Sequence, residues 1–139
     1  RVPFIVNQPG MVPIQTLDNL IYFPDMMPTL AALAKGTKHL PKQINGINIL
    51  PLFYGKQVDT DNRLLYWEFP GKQRAARKGD WKCVTIHPNQ PLELYNLKED
   101  PEETNNLAQK YPRRVKEFDE EMQRMHIPTP NWPQPGEQF

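Results

Sequence analysis

Between Arg63 and Tyr95 the chain carries four short β-patterned runs: Arg63 to Phe69, Gln73 to Lys78, Trp81 to His87 and Leu92 to Tyr95. The connections Pro70-Gly71-Lys72, Gly79-Asp80 and Pro88-Asn89-Gln90-Pro91 span two to four residues. Such lengths join antiparallel neighbours and are too short for a parallel crossover of roughly a dozen residues. An antiparallel meander is expected. In the third run Trp81, Cys83 and Thr85 alternate with Lys82, Val84 and Ile86. Neither set is wholly polar, so both faces of the sheet are expected to be covered. After Pro112 the periodicity changes: Val115, Phe118, Met122 and Met125 recur at intervals of 3, 4 and 3, with Lys116, Glu117, Asp119, Glu120 and Arg124 on the other face. That spacing predicts an amphipathic helix lying across the sheet.

Two other helices are expected. Asp25 caps one whose apolar positions are Met26, Met27, Leu30, Leu33 and Ala34, with Gly36 at its left-handed end. Asp100-Pro101-Glu102-Glu103 combines an acidic cap, proline at the first helical place and a carboxylate three residues on. This predicts a short helix to about Ala108. Val2 to Val6 reads as one strand lacking its partners, punctuated by Asn7-Gln8-Pro9-Gly10. Residues 37–62 read as an ordered connection. The tail from His126 holds Pro128, Pro130, Pro133 and Pro135 and is not helical, with Trp132 and Phe139 as candidate anchors.

Composition narrows the choice of partner. The 139 residues suit one domain-sized core, and a net charge of +1 supplies no field for nucleic acid or an anionic membrane. Neither partner is expected. Sixteen prolines, about 12% against an ordinary share of about 5%, commit much of the chain to turns and extended connections. A single cysteine excludes an intrachain disulfide and a multi-thiolate zinc site. No apolar run approaches the roughly 18 residues of a membrane span. The chain opens without an initiator methionine on an apolar segment, and it is expected to be a fragment of something longer.

No local motif performs chemistry unaided. His39, His87 and His126 lie 48 and 39 residues apart, far from the spacing that sets two imidazoles on one helix face. Asp59-Thr60-Asp61-Asn62 begins like a calcium loop but has no glycine at the sixth place and Pro70 at the twelfth, so it reads as a solvated turn. Cys83 sits within a strand run, where a small apolar thiol is the ordinary reading. Lys72, Arg74, Arg77, Lys78 and Lys82, flanked by Trp67, Phe69 and Trp81, are the residue types that hold an anionic sugar through fork contacts and stacking. They also suit an ordinary sheet surface.

The order of the pieces adds more. Arg1-Val2-Pro3-Phe4-Ile5-Val6-Asn7-Gln8-Pro9-Gly10, then Asp25 with Pro28-Thr29-Leu30, then Asn45-Gly46-Ile47 with Leu50-Pro51-Leu52 and Gly55, resembles the later part of formylglycine-dependent sulfatases. Tyr66-Trp67-Glu68-Phe69, Ala76-Arg77-Lys78-Gly79-Asp80-Trp81-Lys82, Glu93-Leu94-Tyr95-Asn96-Leu97 and Asn106-Leu107-Ala108 are similar to that family's C-terminal subdomain. The resemblance runs to about Met125. It implies an α+β fold: a four-stranded antiparallel sheet packed against a C-terminal amphipathic helix, plus an N-terminal strand and helix remnant of the larger α/β domain. Residues 1–62 would then end that catalytic domain, and residues 63–139 would form the C-terminal subdomain with its Pro-rich tail.

The same resemblance sets the functional expectations. In the family, calcium and a formylglycine made from Cys or Ser in a Cys/Ser-x-Pro-x-Arg signature belong to the N-terminal domain of the alkaline-phosphatase superfamily. Here Cys83 is followed by Val84-Thr85-Ile86-His87, so no nucleophile, metal ligand or cofactor is expected in this chain, and by itself it should be inactive. The resemblance implies that it supplies one wall of a pocket for a sulfated saccharide, through Trp67, Glu68, Lys72, Gln73 and Arg74. Arg77 and Trp81 are expected to be structural. The implied partner is the N-terminal sulfatase domain, with self-association through exposed apolar surface around Val2 to Val6 and Leu30 to Leu33. The implied compartment is periplasmic, secreted or lysosomal. Two alternatives remain: a non-catalytic carbohydrate- or partner-binding module, and a parent that hydrolyses phosphate or phosphonate esters.

Overall fold

Period-two alternation from Leu65 onward resolves into a single sheet. The computed structural model describes residues 2–69, 73–87, 90–131, 133 and 136–138. Among these, β1 (Leu65–Phe69), β2 (Gln73–Lys78), β3 (Trp81–Thr85) and β4 (Glu93–Asn96) lie in the order β1-β2-β3-β4, each neighbour antiparallel. The register sets Tyr66 opposite Ala76, Ala76 opposite Cys83 and Cys83 opposite Leu94. Directly opposed residues share a face, so this row forms one floor.

On that floor lies α3 (Pro112–Met125). Its stripe delivers Phe118 and Met122 onto Ala76, Cys83 and Leu94, and all five are buried. Each large apolar side chain so buried stabilises the fold by roughly 1.5–3 kcal/mol. Trp81, at the rim, meets Tyr111 edge-on with ring centroids 5.2 Å apart, and the Arg114 guanidinium stands 4.4 Å above its ring. Trp81 therefore packs beneath α3, as expected. Arg77 Nε donates to the Gly79 carbonyl at 2.9 Å, closing the turn between β2 and β3.

No helix forms between Asp100 and Ala108. A capping side chain receives the N–H two or three residues on, but the Asp100 carboxylate receives those of Thr104 at 3.1 Å and Asn105 at 2.9 Å. Glu103 has φ 57°, a left-handed conformation that interrupts an α-helix. The carboxylate expected in a capping box instead receives Lys82 Nζ at 2.6 Å. The segment then runs along the outer edge of β4, where the Leu107 N–H donates to the Leu94 carbonyl at 2.7 Å and Asn106 Oδ1 accepts the Leu94 N–H at 3.2 Å. An otherwise open strand edge is closed by this turn.

The chain divides into two units, Arg1–Asp61 and Asn62–Phe139. In the first, a 3-10 turn at Phe23–Asp25 leads into α1 (Met26–Leu33), a second 3-10 turn spans Thr37–His39, and Leu50–Phe53 form α2, a four-residue helix that the apolar pattern did not reveal. Asp25 is fully buried but does not cap α1 with its side chain. Its carboxylate turns back to accept the Tyr22 N–H at 2.9 Å and the Ile47 N–H at 3.0 Å. Thr29 Oγ1 accepts the Ile49 N–H at 3.0 Å. Two buried polar side chains thus satisfy the backbone of a connection that has no ladder of its own.

Two local expectations at this end need correction. The left-handed residue after α1 is Lys35, at φ 57°, and Gly36 follows it with its N–H donating to the Ala31 carbonyl at 2.7 Å. This is the 6→1 bond of a Schellman end. Val2 to Val6 form no strand, because among the described residues no segment pairs with them. The anchors Trp132 and Phe139 lie outside the described residues, as do the turn residues Pro70-Gly71-Lys72 and Pro88-Asn89.

Candidate functional site

The hairpin of β1 and β2 carries the five residues singled out from the sequence, and strand alternation divides the four that are described between two faces. Trp67 lies opposite Ala75, and Phe69 opposite Gln73, on the face away from α3. Trp67 is 43% and Phe69 63% exposed, so two aromatic rings and a carboxamide share one accessible patch. Glu68 and Arg74 are directly opposed on the other face. Lys72 lies outside the described residues.

On the α3 side, polar groups are tied to each other. Arg74 Nη2 donates to Asp119 Oδ1 of α3 at 3.2 Å. Glu68 Oε1 accepts the Tyr66 hydroxyl and lies 2.5 Å from His126 Nδ1, while Nε2 of the same imidazole contacts Glu137 Oε1. Burial, reinforced by the Glu68 carboxylate, holds the Tyr66 hydroxyl well above the ordinary phenol range. The hydrogen bond to Glu137 raises the His126 pKa, burial opposes it, and Glu68 adds to the rise. On the opposite face, burial and the Glu93 carboxylate, which accepts the Tyr95 hydroxyl at 2.8 Å, push that hydroxyl up to about 12.

Asp119, His126 and Glu137 were not singled out as site residues from the sequence. They stand 45 to 69 positions from the strand residues they engage or accompany, since 119 − 74 = 45 and 137 − 68 = 69. No local spacing rule connects them. The only available signal was that Asp119 lies on the polar side of a helix whose apolar stripe was legible.

The family model described as N-sulphoglucosamine sulphohydrolase, C-terminal, matches residues 1–127. The chain belongs to this family. Membership of the N-sulphoglucosamine sulphohydrolase C-terminal family agrees with the expected α+β architecture and with the sulfatase resemblance. The chain is 32% identical over 134 residues to an uncharacterised protein of Haemophilus influenzae, covering 88% of this chain and 67% of that protein. It is 29% identical over 134 residues to arylsulfatase K of Gallus gallus, covering 86% of this chain and 24% of the relative. The solved structure of a 2-O GAG sulfatase superposes with a TM-score of 0.58 at 27% identity, over 72% of this chain and 24% of that one. The chain thus spans about a quarter of the length of these two sulfatases.

Sulfatases generally use calcium and formylglycine, and the described residues do not fit either group. Cys83 is fully buried at the centre of the floor under α3. Burial, with the Asp119 carboxylate adding to it, pushes its thiol up to about 12. A nucleophile must face its substrate, and Cys83 is enclosed in one apolar cluster with Met122 and Leu94. Among the described residues no three or more His, Cys, Asp or Glu side chains converge as a metal site. In the sequence Asp59-Thr60-Asp61 the Asp61 N–H donates to Asp59 Oδ1 at 3.2 Å, and the buried Thr60 hydroxyl accepts the Leu20 N–H at 3.1 Å. Asp59 thus binds the backbone of its own turn, while Thr60 binds that of Leu20, 40 positions away.

Proposed function

We propose that this chain is the C-terminal part of a longer sulfuric ester hydrolase acting on a sulfated saccharide, in which the hairpin of β1 and β2 forms one wall of the substrate pocket. The family match over residues 1–127 carries the reading. The accessible patch of Trp67, Phe69 and Gln73 supports the placement of the wall, since a sugar ring stacks on indole while a carboxamide meets its hydroxyls. Lys72 would supply a cation for the sulfate. Glu68 and Arg74 would hold the hairpin in shape through His126 and Asp119.

A sulfate monoester shields its sulfur with negative oxygens, so its hydrolysis requires a preorganised nucleophile and a cation. Residues 1–61 would end the domain that provides them. Exposed apolar side chains support this: Val2 and Ile5 are 87% and 85% exposed, and Met27, Leu30 and Leu33 of α1 are each more than half exposed. Such surface suits packing against a further domain or a second copy. Among the described residues no helix is long and apolar enough to cross a membrane, and an exported or lysosomal location is proposed from the family alone.

The test begins with the coding sequence before Arg1, where a Cys or Ser followed by Pro two places on and Arg four places on is expected. The whole product should release sulfate from a sulfated saccharide, and Trp67→Ala should raise KM more than it lowers kcat. The chain of 139 residues should release none. Saccharide binding by this chain alone, with no sulfatase signature upstream, would establish a carbohydrate-binding module instead.

A further inference from the structure

The imidazole of His126 lies between two carboxylates that arrive from opposite ends of the C-terminal unit. Glu68, in β1, stands at Nδ1, and Glu137, in the tail, stands at Nε2. A neutral imidazole has one N–H and one bare nitrogen, whereas an ionised carboxylate only accepts. Neutral His126 could therefore satisfy one of the two glutamates and would present a lone pair to the other. The imidazolium donates to both.

The surroundings favour that cation. His126 is the C-cap of α3, and its backbone N–H donates to the Met122 carbonyl at 3.2 Å. The ring is thus fixed at the negative end of a fourteen-residue helix. Its side chain is 19% exposed, with Glu68 and Glu137 at 17% and 20%, so water screens the contacts only in part. Among the described residues two further ionisable groups stand beside Glu68. Tyr66, in β1, donates its hydroxyl to Glu68, and Arg74, opposite Glu68 in β2, is matched by Asp119 of α3.

We propose that protonated His126 is a clasp joining Glu137 to Glu68 of β1, and that loss of its proton loosens the hold on Glu137. The clasp rests on described residues of one unit and is independent of the function proposed above. Its direction follows from the raised pKa of His126. The stabilisation is complete below the ordinary imidazole value near 6.5 and is lost as pH rises through the higher folded value. Solution below the ordinary imidazole value keeps Glu137 on the ring, and solution above the folded value releases it.

Nuclear magnetic resonance of the chain from about pH 5 to about pH 9 tests this, reading the His126 ring and the backbone motion of Gly136. The ring should titrate above the ordinary imidazole value, and fast motion at Gly136 should appear with the same midpoint. His126→Gln should leave Gly136 mobile at every pH. Glu137→Gln alters a tail residue outside the apolar core, so it serves even where the histidine variant fails to fold. It should lower the His126 midpoint and free Gly136 already in acid. A His126 midpoint at or below the ordinary value, or Gly136 motion that neither pH nor Glu137→Gln changes, would overturn the clasp.

Discussion

Gly46 and the Pro24 carbonyl occupy the same space that a side chain at position 46 would need. A Cβ built there would stand 2.0 Å from the carbonyl oxygen of Pro24 and 2.8 Å from the amide nitrogen of Asp25. The close approach brings Ile47 within reach of the buried Asp25 carboxylate at 3.0 Å. This gives the Asn45-Gly46-Ile47 motif its physical meaning: the backbone must pass where only hydrogen fits.

Gly46→Ala should therefore destabilise the N-terminal unit by about 3 kcal/mol, at the upper end of overpacking costs, because the obstructing atoms are backbone and cannot swing aside. Urea unfolding followed by circular dichroism provides the measurement. An unchanged midpoint would refute the steric argument.

Met122 is fully buried against the sheet floor. Met122→Ala should cost about 2–5 kcal/mol through lost burial and the cavity left behind. Glu117→Ala, on the exposed side of the same helix, should stay within about 0.5 kcal/mol. Thermal melting of the two variants separates the outcomes, and equal losses would mean that α3 does not pack through this stripe.

Cys83 should resist alkylation. Its thiol is pushed to about 12 by burial and by Asp119, so at neutral pH the native chain presents neither thiolate nor an accessible sulfur. Iodoacetamide labelling, read by mass spectrometry, should be negligible in buffer and complete in denaturant. Rapid labelling of the folded chain would contradict the placement of β3.

Asp100 predicts a response to acid. The N–H groups of Asn105 and Thr104 hold its carboxyl below the usual carboxylate value of 3.8. A depressed carboxylate contributes its stabilisation above the unfolded value and loses it as pH falls through the folded one. The amide resonances of Thr104 and Asn105 should accordingly move together below pH 3.8, and Asp100→Ala should abolish the transition. A transition that survives in the alanine variant would assign it to another group.

Much of the architecture was legible before any coordinate. Four strands were expected and four are found among the described residues, with β2 bounded identically at Gln73 and Lys78 and the others shifted by one or two residues. Period-two alternation, short turns and a 3-4-3 stripe are local signals, and they report on elements whose burial is one-sided. The failures fell where a local signal met a distant competitor. Glu103 fits a capping box by sequence, yet an ion pair with Lys82, 21 positions away, goes with a left-handed turn in place of a helix. Asp25 fits an N-cap by sequence, yet the backbone of Ile47 claims its carboxylate.

By itself, then, the order of residues determined the α+β class, the meander, the amphipathic helix and the family, because each depends on spacing along the chain. Only the tertiary structure decided how the hairpin residues divide, with Trp67 and Gln73 on one face and Glu68 and Arg74 committed to His126 and Asp119 on the other. The reason is geometric. Strand register and the end point of α3 set which charges meet across 45 to 58 residues of sequence, and no short-range pattern encodes either.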